Sequence, residues 1–90
     1  TRRVSTGQLN DLILDCVMAS EPPSVNGRRL KIKYATQIST NPPTFVLFVN
    51  EMDLMHFSYK RYLENNIRKA FNFEGTPIRI TLKCKKEEDL

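Results

Sequence analysis

Residues Phe45-Val46-Leu47-Phe48-Val49 form the one long uninterrupted apolar run, closed off by Pro42-Pro43 before it and by Asn50-Glu51 after it. β-Branched and aromatic side chains dominate the run, which favours a strand over a helix. A strand apolar on both faces belongs in the middle of its sheet. Before it, Leu30, Ile32, Tyr34 and Ile38 alternate with Lys31, Lys33 and Gln37. Period two predicts a half-buried strand over 30–38, with Leu30, Ile32, Tyr34 and Ile38 facing the core. The turn-rich residues Ser39 to Pro43 are too few for a crossover, so the two strands form an antiparallel hairpin. Later, Ile78, Ile80, Leu82 and Cys84 alternate with Arg79, Thr81, Lys83 and Lys85, predicting a third strand.

Two other stretches carry helical spacing. Leu9, Leu12, Ile13, Cys16 and Val17 lie at i, i+3, i+4, i+7 and i+8, and Ser5-Thr6-Gly7-Gln8 has the form of a capping box. That helix ends near Ser20, because Pro22-Pro23 cannot continue it. Glu21 to Gly27 reads as a loop. Asn50 to Ser58 reads as a turn or short helix with Leu54 and Phe57 inward and Ser58 capping the next element. Tyr59, Tyr62, Leu63, Ile67, Ala70 and Phe71 then form one helical face, with Glu64 and Arg68 as an i,i+4 pair. This helix ends before Asn72, Gly75 and Pro77.

The order is α-β-β-α-β, an α+β fold. A right-handed crossover places the third strand parallel to the central one, and both helices then cover one face of a three-stranded mixed sheet. Ninety residues make one domain, with its core over about 5–85 and a charged tail over 86–90. The start at Thr1, followed by Arg2-Arg3, predicts a piece of a longer or processed protein.

Composition narrows the function. The net charge is +4 with a pI near 9.3, which leans toward nucleic acid or an acidic partner surface. The two cysteines, Cys16 and Cys84, stand far apart with no C-x-x-C or Cys/His cluster. A reducing cytosolic setting fits better than a disulfide framework or structural zinc. No run is long and apolar enough for a bilayer span, so no membrane association is expected.

The uncovered sheet face is the informative surface. Lys31, Lys33, Arg79, Thr81, Lys83 and Lys85 are expected there, flanking either Val46 and Phe48 or Phe45, Leu47 and Val49. An apolar floor with a basic rim suits single-stranded nucleic acid. It suits a protein interface as well, and an ordinary solvated face is the plain alternative. The candidate binding residues are Lys31, Lys33, Phe48, Arg79, Lys83 and Lys85.

Catalytic patterns are missing. Gly7, Gly27 and Gly75 are isolated, so there is no P-loop. His56 has no Cys, Ser or Asp partner in sequence. Asp11 and Asp15 lie four apart on an outward helix face with no third ligand. Cys16 reads as a core residue. Cys84 has basic neighbours, but nothing arranges it as a nucleophile.

Several segments together resemble a known family. They are Arg28-Arg29-Leu30-Lys31-Ile32-Lys33-Tyr34-Ala35-Thr36-Gln37, Asn41-Pro42-Pro43-Thr44-Phe45-Val46-Leu47-Phe48-Val49-Asn50, Tyr62-Leu63-Glu64-Asn65 and Phe73-Glu74-Gly75-Thr76-Pro77-Ile78-Arg79-Ile80. In order and spacing they are similar to the C-terminal domain of the bacterial Der (EngA) GTPases, over about Arg3 to Lys83. The resemblance implies a KH-like fold, two GTPase domains upstream binding GTP and Mg, and a role in assembly of the large (50S) ribosomal subunit. It implies as partners the GTPase domains of the same chain and the large subunit with its rRNA, and no cofactor, small-molecule substrate or catalysis in this segment. One departure stands out. RNA-binding KH domains carry a G-x-x-G loop that lets the backbone approach phosphates, and here that place reads Met55-His56-Phe57-Ser58. RNA contact would then come from basic side chains or within the larger assembly, with a free-standing single-stranded RNA module as the alternative.

Overall fold

Ser5 opens the first helix, α1 (Thr6–Ala19), by accepting the Gln8 amide on its hydroxyl at 3.2 Å. In the computed structural model, which describes residues 3–84, the apolar stripe of α1 buries Leu9, Ile13 and Cys16. Helix α2 (Phe57–Ala70) buries Tyr59, Leu63 and Ile67. Its far end closes in a Schellman motif. Asn72 takes the left-handed conformation, with φ of 59°, and the Phe73 amide donates back to the Arg68 carbonyl at 2.8 Å. Phe73 is thereby tucked into the core, edge-on to Phe45 at 6.2 Å.

The Pro-rich loop after α1 carries a small hairpin. Strands β1 (Ser24–Val25) and β2 (Arg28–Arg29) pair antiparallel around Asn26 and Gly27. Both turn residues have positive φ, 52° and 77°, as a type I′ turn requires. Arg28-Arg29 therefore belong to a separate ribbon, and the long strand starts later than the alternation predicts. That strand, β3 (Ile32–Thr40), pairs antiparallel with β4 (Pro43–Val49), and β4 pairs parallel with β5 (Arg79–Cys84). The sheet order β3-β4-β5 puts the apolar run in the middle, and both helices lie over one face. The fold is α+β. The alternation along β4 resolves cleanly: Phe45, Leu47 and Val49 join the core under the helices, while Val46 and Phe48 turn to the other face.

Three sequence expectations need correction. Tyr34 and Ile38 do not face the core. The register runs Ile32↔Val49 and then Tyr34↔Phe48, so Lys33 is an extra residue in a bulge. One inserted residue shifts the phase of the side chains that follow it, up to a second register shift between Gln37 and Ser39. Ala35 and Gln37 become the inward residues, and Tyr34 and Ile38 are exposed. Phe57 is not inward either. It is 69 % exposed at the first position of α2, stacked beside His56 with the Arg61 guanidinium 5.9 Å from its ring centre. Finally, Ser58 does not cap α2. His56 does, its Nδ1 accepting the Ser58 amide at 3.1 Å, because the helix begins two residues earlier than the apolar spacing implies. The short 3-10 turn Met52–Leu54 buries Leu54 as the sequence predicts. The charged tail over 86–90 lies outside the described residues.

Candidate functional site

The uncovered face is built from three rows. Tyr34, Thr36 and Ile38 project from β3, Thr44, Val46 and Phe48 from β4, and Arg79, Thr81 and Lys83 from β5. The register pairs Phe48 with both Tyr34 and Lys83, Val46 with both Thr36 and Thr81, and Thr44 with Arg79. Tyr34 and Phe48 form an aromatic pair, ring centres 6.2 Å apart and tilted by 40°. Val46 is only 2 % exposed although no helix lies above it, so its neighbours close over it and the floor is half hidden. Strands β3, β4 and β5 contain Lys33, Arg79 and Lys83 and no acidic residue. With no carboxylate in the rows to offset Arg79 and Lys83, the potential along β5 is positive.

Of the candidate binding residues, the structure brings Phe48, Arg79 and Lys83 together on this face. Lys31 and Lys33 are exposed at the opposite edge of the sheet, where they line a groove of about 540 Å³ between α1 and β3. The bulge that turns Tyr34 outward is centred on Lys33, and the Lys31 amide is held by the Asn50 carboxamide at 2.8 Å. Lys85 lies outside the described residues. Sequence reasoning missed Tyr34, because uninterrupted alternation assigned it to the core. Nothing in the residue pattern signals the bulge.

Other reactive groups are placed for structure. Burial pushes the Cys16 thiol up, and the Asp15 carboxylate adds to it, so the thiol stays protonated within the core. Exposed Cys84 directs its sulfur at the Asn50 carbonyl, 3.0 Å away. Burial raises Tyr59 to about 12, and Tyr62, Cys16 and Glu21 add to the shift. The Tyr59 and Tyr62 hydroxyls donate to the Ser20 and Cys16 carbonyls, each at 2.7 Å, at the C-terminal end of α1, where the Cys16 carbonyl also accepts the Ser20 amide at 3.0 Å. His56 is engaged as the cap of α2 and reaches the Ser58 hydroxyl at 2.8 Å. Arg68 turns to the Thr76 carbonyl and the Asn65 side chain. Arg28 pairs with Glu51, and Arg29 with Glu21 at 2.9 Å, at exposed positions where such pairs contribute little. Among the described residues no cluster of three or more His, Cys, Asp or Glu could hold a metal, and no helix is long and apolar enough to cross a membrane.

Comparison with known proteins matches this chain to one family. The model of the KH-domain-like, C-terminal domain of EngA bacterial GTPase enzymes matches residues 3–83. A GTPase Der of Leuconostoc mesenteroides is 53 % identical over 85 residues, covering 94 % of this chain and 20 % of that protein. One of Acetivibrio thermocellus is 58 % identical over 86 residues, covering 96 % of the chain and 20 % of the relative. One of Brevibacillus brevis is 62 % identical over 78 residues, covering 87 % and 18 %. The chain thus spans about a fifth of the length of these curated relatives. The matched span takes in both helices and all but the last residue of the three-stranded sheet, and on that basis the chain belongs to the family of KH-like domains at the C-terminus of the EngA bacterial GTPases.

Proposed function

We propose that this chain is the non-catalytic interaction module of a cytoplasmic GTPase that acts in assembly of the large ribosomal subunit. The chain is a single domain of that longer protein. Two upstream domains bind GTP and Mg and carry out hydrolysis. The present domain docks on them and contributes to association with the subunit and its rRNA. The observation that carries this reading is the sheet face whose described strands hold no acidic residue, with Lys83 beside Phe48 and Arg79 farther along the same strand, in a domain whose matched relatives are GTPases. Positive charge beside an apolar floor attracts the phosphate backbone. Lys31 and Lys33 form a second basic patch across the domain, next to the α1 groove.

Co-sedimentation of the full-length parent with the large subunit tests this. Arg79→Glu with Lys83→Glu weakens association by at least tenfold and leaves GTP hydrolysis by the free protein unchanged. Association at the wild-type level overturns the assignment. Lys31→Glu with Lys33→Glu, measured in the same way, reports the contribution of the second patch.

A second reading is favoured by the aromatic pair Tyr34–Phe48 beside Lys83. It makes the domain a free-standing binder of single-stranded RNA, active without the GTPase domains. Salt-dependent binding of the isolated chain to RNA distinguishes it from the first.

A further inference from the structure

We infer that the open sheet face is a stacking platform for unpaired RNA bases, with Tyr34 and Phe48 as the ring supports and Arg79 and Lys83 as the phosphate contacts. The inference rests on the second reading, binding of single-stranded RNA by the domain itself, and specifies its chemistry. Tyr34 is 48 % exposed at the free end of an aromatic pair, on a face that no other described element covers. Phe48 supports it from the side, so one face of the Tyr34 ring is held in place at little further cost in side-chain entropy.

The three rows sit about 5 Å apart, the ordinary spacing of paired strands. Lys83 is therefore one strand away from Phe48 and two from Tyr34. Arg79 stands four residues from Lys83 along β5, about 13 Å at the usual rise per residue. A chain laid across the rows can set bases on the rings while its backbone meets cations along a single edge. Thr36 and Thr81, which flank buried Val46, keep the middle of the platform low and offer hydroxyls to base edges.

The occupant follows from this chemistry. A duplex hides its base faces and would meet only the β5 cations, leaving the aromatic pair without a role. A neutral protein surface would gain from the rings but not from an acid-free basic row. Single-stranded RNA uses both, since every base presents a π-face and every linkage a negative charge. The Met55-His56-Phe57-Ser58 segment lacks glycine, so a backbone clamp on phosphate is unavailable and side chains must supply the contacts.

The test is fluorescence anisotropy of a labelled single-stranded RNA decamer of mixed sequence, and of a duplex of the same length, against the 90-residue chain at several salt concentrations. The chain binds the single strand at least tenfold more tightly than the duplex. Tyr34→Leu weakens single-strand binding about five- to a hundredfold and leaves the salt slope unchanged. Phe48→Leu acts in the same direction, and circular dichroism of both variants verifies the fold. Arg79→Gln with Lys83→Gln reduces the salt slope by about 1.4, or 0.7 for each cation lost. Wild-type affinity in Tyr34→Leu, equal binding of duplex and single strand, or no binding of the single strand each overturns the inference. If no RNA binds while the Arg79/Lys83 charge reversals still release the parent from the subunit, the platform fails and the docking role stands. If Tyr34→Leu releases the parent from the subunit although no RNA binds, the face takes a protein partner and the inference is overturned.

Discussion

The side-chain amide of Asn10 meets the main chain of Ala35 on both sides, donating to its carbonyl at 2.8 Å and accepting its amide at 2.8 Å. A helix residue thus occupies the place of a neighbouring strand at the outer edge of β3. The nitrogen also donates to the Thr6 carbonyl one turn back, which fixes the rotamer. Two residues along, the Arg3 guanidinium donates to the Gln37 carbonyl and the Val4 amide donates to the buried Gln37 side chain at 2.6 Å. An exposed edge invites pairing with other chains, and these contacts close it at Ala35 and Gln37.

Removing the Asn10 carboxamide therefore uncovers part of that edge. Asn10→Ala is expected to lower stability by about 1–3 kcal/mol, because the Ala35 amide and carbonyl lose their partner. Asn10→Asp does worse, since a carboxylate faces the Ala35 carbonyl. Urea denaturation measures both, and amide exchange at Ala35 accelerates in step.

Phe45 and Phe57 give opposite outcomes. Phe45 is fully buried under the helices and packs edge-on to Phe73. Phe45→Ala costs about 3–5 kcal/mol, a large share of a domain's usual stability. Phe57→Ala changes stability by about 0.5 kcal/mol or less, because that ring stands in solvent. Thermal unfolding of the two variants side by side checks the burial pattern.

Alkaline pH tests the end of α1. The folded state holds the Tyr59 proton up to about pH 12, against an ordinary value of 10.0, so the folded pKa is the raised one. Stability from this group is whole below pH 10 and is lost as pH rises toward 12. Tyr59→Phe costs about 1 kcal/mol at neutral pH through the hydrogen bond to Ser20, and its stability falls less steeply between those limits. Denaturation midpoints at neutral and alkaline pH decide this.

Much of the architecture was legible in the residue pattern because local rules and packing agree there. Leu9, Ile13 and Cys16 at helical spacing, the Ser5 cap and the apolar run of β4 each had one physical solution. The errors share a cause. A bulge at Lys33 adds a residue without any marker of its own, and strict alternation then carries Tyr34 and Ile38 to the wrong side. Phe57 was placed inward because aromatic residues usually are, but the helix begins at it and points it to solvent. The candidate face was half legible. Period two in β5 put Arg79 and Lys83 on one face, but in β4 it left open whether Val46 and Phe48 or Phe45, Leu47 and Val49 lay beside them; Lys33 was assigned there by the alternation that its bulge breaks, and Lys31 lies before β3 begins.

The central claim is that the large ribosomal subunit meets the sheet face opposite the helices. Hydroxyl-radical footprinting of the full-length parent, free and then bound to the subunit, reads side-chain exposure directly. Tyr34 should lose reactivity on binding, while Phe57 and Met18, 69 % and 75 % exposed on the helices, keep theirs. Unchanged reactivity at Tyr34, with protection at Met18 or Phe57, would contradict the account.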